Sequence, residues 1–468
     1  MRLIPFYTWS KGVMHLSDTG HRLLHKPWTQ GVLLLICVIA AMLLANLPFT
    51  KEIYRDILHT NVIIHMFSDD GVVNLLFPKD MDIEKFINDI LMTIFFFTVG
   101  LEIKREIAHG ELSTRKKALL PIIAAFGGAM LPALIYTAVN SGTLASRGWG
   151  IPTATDIAFV VCILTLLKDK VPVSLKIFLT ALAIADDLIA ILVVALFYGG
   201  EVRFGLLLVS AAVIALTLLM RHVGEKRMFP YLASSLIVWI LFYYSGIHAT
   251  MSGVVMAFLI PAAPRYNKAQ YLRKRGQFIA RLDSLDGATD EKFPNTPQKE
   301  CLMKLEGIAH GTMDMSYRVE RAMLPWVNFL IMPLFALANA GVEINSPEYL
   351  RIFSYDPVIG GVSMGIFLGL VIGKPLGITL LSWISIKLKI CEMPRGASWP
   401  MFFAVACLGG IGFTMSIFID NLSFTTLPPE AATHLEDFGK IAVLTASLCA
   451  GLIGWLLITL VSRKQVCK

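Results

Sequence analysis

Asp186 and Asp187 stand side by side in a stretch that is otherwise apolar over a full helix length, from Val173 to Phe197. A charged side chain at the centre of a bilayer costs about 2.5–3.5 kcal/mol even on the lenient insertion scale. Two neighbouring carboxylates in such a run therefore point to an ion or proton path, because the same oxygens can take a proton or a hard cation. Few other ionisable residues lie within apolar runs. They are Asp156 and Lys374, with Asp89, Glu102 and Asp420 nearer the ends of theirs. Asp156 falls in Gly150-Ile-Pro-Thr-Ala-Thr-Asp-Ile-Ala-Phe159. It reads either as a helix N-cap near the membrane surface or as the acid of a broken helix. A break is tolerated only where it is buried in protein or lines a cavity. Lys374 falls deep in its run, in Gly369-Leu-Val-Ile-Gly-Lys-Pro-Leu-Gly377. It must snorkel to the interface or find a carboxylate or the carbonyls of a helix C-terminus. Gly361, Gly365, Gly369, Gly373 and Gly377 repeat every four residues around it, which predicts close helix packing and lets neighbouring backbone approach the lysine.

The elements that position these residues are membrane helices. Of the 468 residues, 56% are hydrophobic and only 16% charged, where soluble proteins carry about 25% charged residues. The mean hydropathy is +0.66. Apolar runs predict an all-α polytopic membrane protein with about twelve transmembrane helices, near 31–48, 87–103, 118–140, 150–167, 173–198, 204–220, 230–245, 247–262, 323–341, 357–386, 399–420 and 439–461. Lys and Arg concentrate in alternate loops, at 104–117, 168–170, 221–227, 387–395 and 463–468, and this places both termini in the cytoplasm. The domain reading is a cytoplasmic N-terminal segment 1–30, spans within 31–262, a cytoplasmic insertion 263–321, spans within 322–461 and a cytoplasmic tail 462–468. The insertion carries eleven Lys and Arg against eight Asp and Glu, too polar to span. It is expected to be helical around 267–283 and looser after Leu285.

A second interruption lies at Gly409-Gly-Ile-Gly-Phe-Thr-Met-Ser416, where Gly409, Gly410 and Gly412 each weaken a helix by about 1 kcal/mol relative to Ala. This span and the one at 150–167 are each second in a group of three, 118–198 and 357–461. The groups are offset by seven spans, an odd number, so they face opposite ways. That is the pattern of an inverted repeat with two interrupted helices and a site at the midplane.

Several segments together resemble the signatures of the NhaA family of sodium/proton antiporters. They are Phe95-Phe-Phe-Thr-Val-Gly-Leu-Glu-Ile-Lys-Arg-Glu106, Thr155-Asp-Ile-Ala-Phe159, Ala183-Ile-Ala-Asp-Asp-Leu188, Pro333-Leu-Phe-Ala-Leu-Ala-Asn-Ala-Gly341, Gly373-Lys-Pro-Leu-Gly377 and Gly410-Ile-Gly-Phe-Thr-Met-Ser416. The resemblance runs from about Pro27 to Val461 and is broken by the 263–321 insertion. It implies electrogenic, pH-regulated expulsion of sodium or lithium in exchange for protons. It implies that Asp187 is the main sodium ligand and that Asp186 is a proton carrier paired with Lys374. Asp156 with Thr155 would stand where two half-helix N-termini meet, and Lys374 would offset the matching C-termini. Glu102, Arg105, Glu106 and Glu320 would form a cytoplasmic pH-response cluster, and Asp89 an acid near the external side. The resemblance further implies a homodimer in a bacterial inner membrane. It departs where the best-known members carry histidines just before Pro-Trp-Val; Arg321 and Leu324 hold those places here.

Other classes fit less well. An intramembrane aspartyl protease needs two carboxylates facing across a gap and sharing a proton, whereas consecutive helical residues point about 100° apart. A proton pump built on a lysine Schiff base needs no pair of broken helices. A channel needs a repeated filter or rings of charge. Seven cysteines without paired spacing define neither a disulfide framework nor a metal centre. The net charge of +7 follows from the basic loops and calls for no nucleic acid. No cofactor is expected; the partners are sodium, lithium, protons and membrane lipid.

Overall fold

A computed structural model describes residues 27–61, 66–68, 71–73, 81–110, 112–200, 202–225, 227–264, 266–285, 294–344, 347–357 and 359–466. Most of the expected N-terminal segment, residues 1–26, lies outside them. Among the described residues the architecture is helical apart from one small antiparallel ribbon, in which Met66–Ser68 pairs with Gly71–Val73.

Among the described residues, nine helices are long and apolar enough to cross a membrane: Trp28–Asn46, Ile83–Ala108, Lys117–Asn140, Val173–Phe197, Phe204–Val223, Met228–Ser245, Met315–Asn339, Val362–Lys387 and Pro429–Arg463. Two further pairs qualify as bent spans. Leu144–Thr153 and Ile157–Leu166 meet at 41°, and Trp399–Leu408 and Phe413–Ser423 meet at 52°. That makes up to eleven. The twelfth expected segment, 247–262, holds only the ten-residue helix Thr250–Leu259, about 15 Å long and half the hydrocarbon thickness. It survives because it is sheltered: it packs along Met92–His109 and shares a core of Phe97, Leu101, Tyr231, Phe242 and Met256.

Several boundaries differ from the hydropathy reading. The last helix begins at Pro429, ten residues before its apolar stretch, because polar residues continue a helix once it leaves the hydrocarbon. The Ile83–Ala108 span extends through Lys104 and Arg105, which the charge pattern had placed in a loop. The insertion is more ordered than expected. After Lys268–Leu285 a second helix, Thr296–Thr312, opens on an Asn295/Gln298 capping box and packs back on the first.

The broken spans owe their bends to local chemistry. Asp156 is extended (φ −94°, ψ 105°) and caps the Ile157–Leu166 helix, accepting from the N–H groups of Ala158 and Phe159. The other bend falls at Gly409–Gly412, where Gly410 packs directly against the Leu370 carbonyl oxygen and any side chain would overlap it. The two breaks touch, for the Asp156 N–H donates to the Ile411 carbonyl at 2.7 Å.

The glycine ladder faces the Lys117–Asn140 span. A Cβ at Gly377 would strike the Gly127 carbonyl oxygen, and one at Gly127 would strike that of Gly377, so the two backbones are in contact. Gly373 meets Pro132 and Ile135, and Gly365 meets Tyr136 and Asn140. In lipid, helix association rests on such close approach rather than on a hydrophobic drive. Here it brings Lys374, which follows the π-helical turn Gly369–Gly373, down onto the broken spans.

Candidate functional site

Lys374 and Asp186 are both fully enclosed, and their Nζ and Oδ2 atoms lie 3.0 Å apart. The lysine also donates to the Thr153 carbonyl at 2.6 Å, the last residue of the Leu144–Thr153 half-helix. The Thr155 hydroxyl lies 2.6 Å from Asp186 Oδ2 and 2.9 Å from the Gly409 carbonyl oxygen, so its one proton is shared between two acceptors. The carbonyl at the end of each first half-helix is thus met by a side chain, Thr153 by Lys374 and Gly409 by Thr155. Both ends are otherwise short of donors, as any helix C-terminus is.

Asp156 spans the two second half-helices. Its Oδ1 accepts from Ala158 N at 3.0 Å and Phe159 N at 3.3 Å, the start of Ile157–Leu166. Its Oδ2 accepts from Thr414 N at 3.1 Å and Thr414 Oγ1 at 2.5 Å, the start of Phe413–Ser423. One carboxylate therefore faces the positive ends of two helix dipoles. The Ser447 hydroxyl accepts from Gly412 N and Phe413 N at 3.3 and 3.2 Å. Ser416 Oγ donates to the Ile151 carbonyl at 2.7 Å and ties the second bend to the first.

Asp187 is different. It is 3% exposed, and its Oδ1 is buried with no hydrogen-bond partner; Asp186 Oδ1 is in the same condition. Buried polar atoms are otherwise satisfied in folded proteins. Each of the two neighbouring carboxylates keeps an open buried oxygen, and Asp186 also touches the Thr155 hydroxyl, itself bonded to the Gly409 carbonyl; oxygens of this kind suit a small hard cation or protons. Asp186 and Asp187 do not face one another as a protease dyad would. Asp186 is turned to Lys374 and Thr155, whereas no bond holds Asp187 Oδ1.

The remaining site residues fall into separate places. Arg105 pairs with Glu320, with Glu106 at 3.1 Å and with Glu102 at 3.6 Å. Glu320 is 1% exposed and its Oε2 has no partner. Arg321 does not join them; its Nε donates to the Tyr317 hydroxyl at 3.1 Å from an exposed position. Leu324 is half-buried one turn further along. Asp89 lies in the π-helical turn Ile87–Leu91, within reach of the charges of Lys85 and Asp82 and near the opposite end of the span from Arg105.

Some residues escaped the sequence reading. Thr414 lies inside the quoted Gly410–Ser416 segment, and a hydroxyl just past the bend was the available signal. Ser447 has none, being one small polar residue in an apolar helix. Lys104 was read as a loop charge. It is instead buried, and its Nζ donates to the carbonyls of Ala257 (3.2 Å), Phe258 (3.0 Å) and Ile260, capping the end of the ten-residue helix.

A family model described as Na+/H+ antiporter 1 matches residues 21–458. The chain is 40% identical over 457 residues to the Na(+)/H(+) antiporter NhaA of Sulfurimonas denitrificans, covering 97% of this chain and 98% of that one. It is 38% identical to the Na(+)/H(+) antiporter NhaA 2 of Syntrophotalea carbinolica, covering 93% and 94%. It is 40% identical to the Na(+)/H(+) antiporter NhaA of Helicobacter pylori strain P12, covering 94% of each. With a polytopic helical fold, two touching broken spans and near-complete coverage of these relatives, the chain belongs to the Na+/H+ antiporter 1 family.

Proposed function

We propose that this protein exchanges sodium, or lithium, for protons across a bacterial inner membrane. The observation that carries the reading is the pair of open, fully buried carboxylate oxygens on Asp186 and Asp187, set where two broken spans touch. Asp187 is the principal sodium ligand, helped by Asp186 and the Thr155 hydroxyl. When sodium leaves, protons take its place, because the carboxylate oxygens that bind a hard cation also bind protons. Sodium and protons thus compete for one set of oxygens. Exposing that set first to one side and then to the other couples their movements in opposite directions.

Lys374 compensates the charge of Asp186 and the Thr153 carbonyl together. Asp156 holds the two second half-helices to each other without entering a cation shell of its own, since both its oxygens are already engaged. Glu102, Arg105, Glu106 and Glu320 act as a pH-responsive latch between the Ile83–Ala108 and Met315–Asn339 spans, with Glu102 within electrostatic reach of Asp187. Both termini and the 263–321 insertion lie in the cytoplasm, a reading that the basic loops support. The assembly is a homodimer, as the family resemblance implies.

The exchange is electrogenic. With carboxylates at both 186 and 187, two protons replace one sodium and one net charge crosses. Each such charge couples to the membrane potential by about 2.3 kcal/mol per 100 mV. The test uses pure protein in liposomes. Adding sodium should collapse an imposed pH gradient, and an inside-negative potassium diffusion potential should speed sodium efflux with bulk pH clamped. If sodium leaves the gradient untouched, the antiport reading fails. If efflux ignores the potential, exchange is one for one and Asp186 only holds Lys374.

A further inference from the structure

A second carboxylate is fully enclosed without bonds, and the exchange site does not use it. Asp420 lies in Phe413–Ser423, six residues past Thr414, hence about 9 Å along the helix from the residue that grips Asp156. It is 0% exposed, and neither Oδ1 nor Oδ2 has a hydrogen-bond partner. Its carboxylate lies directly against Gly439, where a Cβ would overlap it. The titratable groups within electrostatic reach of it come from three elements. Glu436, Asp437 and Lys440 belong to the Pro429–Val466 helix, Tyr136 to Lys117–Asn140, and Tyr198 follows Phe197. Lys440 also answers to Glu84, so its charge is shared among four carboxylates. Glu84 and Arg105 occupy opposite ends of the 26-residue Ile83–Ala108 span. Asp420 therefore stands between the crossing of the broken spans and the membrane face that Glu84 marks.

A buried carboxylate with no hydrogen bond, whose neighbouring cation Lys440 is shared with three other carboxylates, is left under-compensated. A proton alone removes the charge but leaves an O–H donor and a carbonyl acceptor both unmet. A hard monovalent cation, carrying a water to complete its shell, meets both oxygens at once. We propose that Asp420 is a second, weaker binding station for the transported cation, on the Glu84 side of the crossing. This rests on the antiport reading above. Among the described residues, no three acidic, histidine or cysteine side chains are close enough to share a metal ion. A single carboxylate offers fewer oxygens than the Asp186–Asp187 pair, so binding is weaker, which suits a waypoint from which the cation must leave again.

The experiment is equilibrium dialysis of radioactive sodium against the full-length protein, its Asp187→Asn and Asp420→Asn variants and the double variant. The wild type should show a tight and a weak class of sodium. Asp187→Asn should keep the weak class, Asp420→Asn the tight one, and the double variant neither. If Asp420→Asn retains both classes, or Asp187→Asn retains none, the station is disproved while antiport stands. If the wild type binds no sodium, the antiport reading falls with it. Should Asp420→Asn misfold, Gly439→Ala, which pushes a methyl group into the carboxylate, must weaken the same class. In oriented vesicles Asp420→Asn should raise the KM for sodium severalfold from the Glu84 face only; an equal rise from both faces would mark a structural effect and overturn the proposal.

Discussion

Two clusters in which cations and carboxylates meet, one at the crossing of the broken spans and one at a span end, are built on opposite terms. At the crossing, Lys374 is matched to Asp186 with both side chains fully enclosed, and the neighbouring Asp187 is left with an open oxygen. At the span end, the single guanidinium of Arg105 serves Glu102, Glu106 and Glu320, and its side chain is 35% exposed. The first cluster is held by interrupted backbone: Thr153 and Gly409 supply carbonyls that only a broken helix frees. The second is held by regular helices and needs no break. Water screens an exposed pair so that it is worth about 0–1 kcal/mol, whereas breaking a buried pair costs about 3–5 kcal/mol. The comparison teaches that burying charge is useful where it makes a vacancy a cation or proton can fill. The partly exposed cluster, in which Glu320 is buried but Arg105, Glu102 and Glu106 reach solvent, biases which arrangement of helices is favoured.

If that contrast is right, the largest effect comes from the open carboxylate. Asp187→Asn should abolish sodium-driven proton movement in liposomes while the protein still inserts and purifies as a folded species. Retained exchange would move the cation site elsewhere.

The next effect belongs to the buried pair. Lys374→Ala or Asp186→Ala alone leaves an uncompensated charge and should destabilise by about 3–5 kcal/mol. The double variant should recover much of that loss, so a double-mutant cycle on thermal unfolding should give a large interaction energy. Strict additivity would mean that the two groups do not meet.

At the exposed cluster the effect should be small. Glu102→Gln removes one of three carboxylates from around Arg105, at 3.6 Å and partly in solvent. Stability should change by less than about 1 kcal/mol. The pH profile of exchange should move while its maximal rate stays near that of the wild type. A loss as deep as that of Asp187→Asn would erase the distinction between the clusters.

The smallest effect is expected from the insertion. Replacing 268–312 with a flexible linker removes an exposed helical hairpin tied back by the Arg318-to-His310 carbonyl bond at 3.1 Å and the Tyr266-to-Gly311 bond at 2.9 Å. Exchange in vesicles should persist. Its loss in a folded protein would make the hairpin a gate.

What the sequence discloses follows from what is costly in a membrane. Asp156, Asp186, Asp187 and Lys374 are conspicuous because each charge is expensive in an apolar run, and Gly409, Gly410 and Gly412 because they weaken a helix. Both bends and the residues around them were legible on those grounds. Ser447 and the Thr153 carbonyl were not. A hydroxyl bonds within its own helix at little cost, and a carbonyl belongs to every residue, so neither leaves a mark in composition. Lys104 misled for a related reason: its charge reads as a loop until the end of the short Thr250–Leu259 helix is seen to need a donor. That helix is itself too short for hydropathy alone to separate from a full span.

The central claim is that sodium and protons contend for the same oxygens on Asp186 and Asp187. Isothermal titration of sodium into the purified protein, repeated in buffers of different ionisation enthalpy, tests it most directly. The wild type should bind sodium with a heat that tracks the buffer, because protons leave as sodium enters, and Asp187→Asn should show no high-affinity binding. Binding of unchanged affinity in Asp187→Asn, or a wild-type heat indifferent to the buffer, would contradict the account.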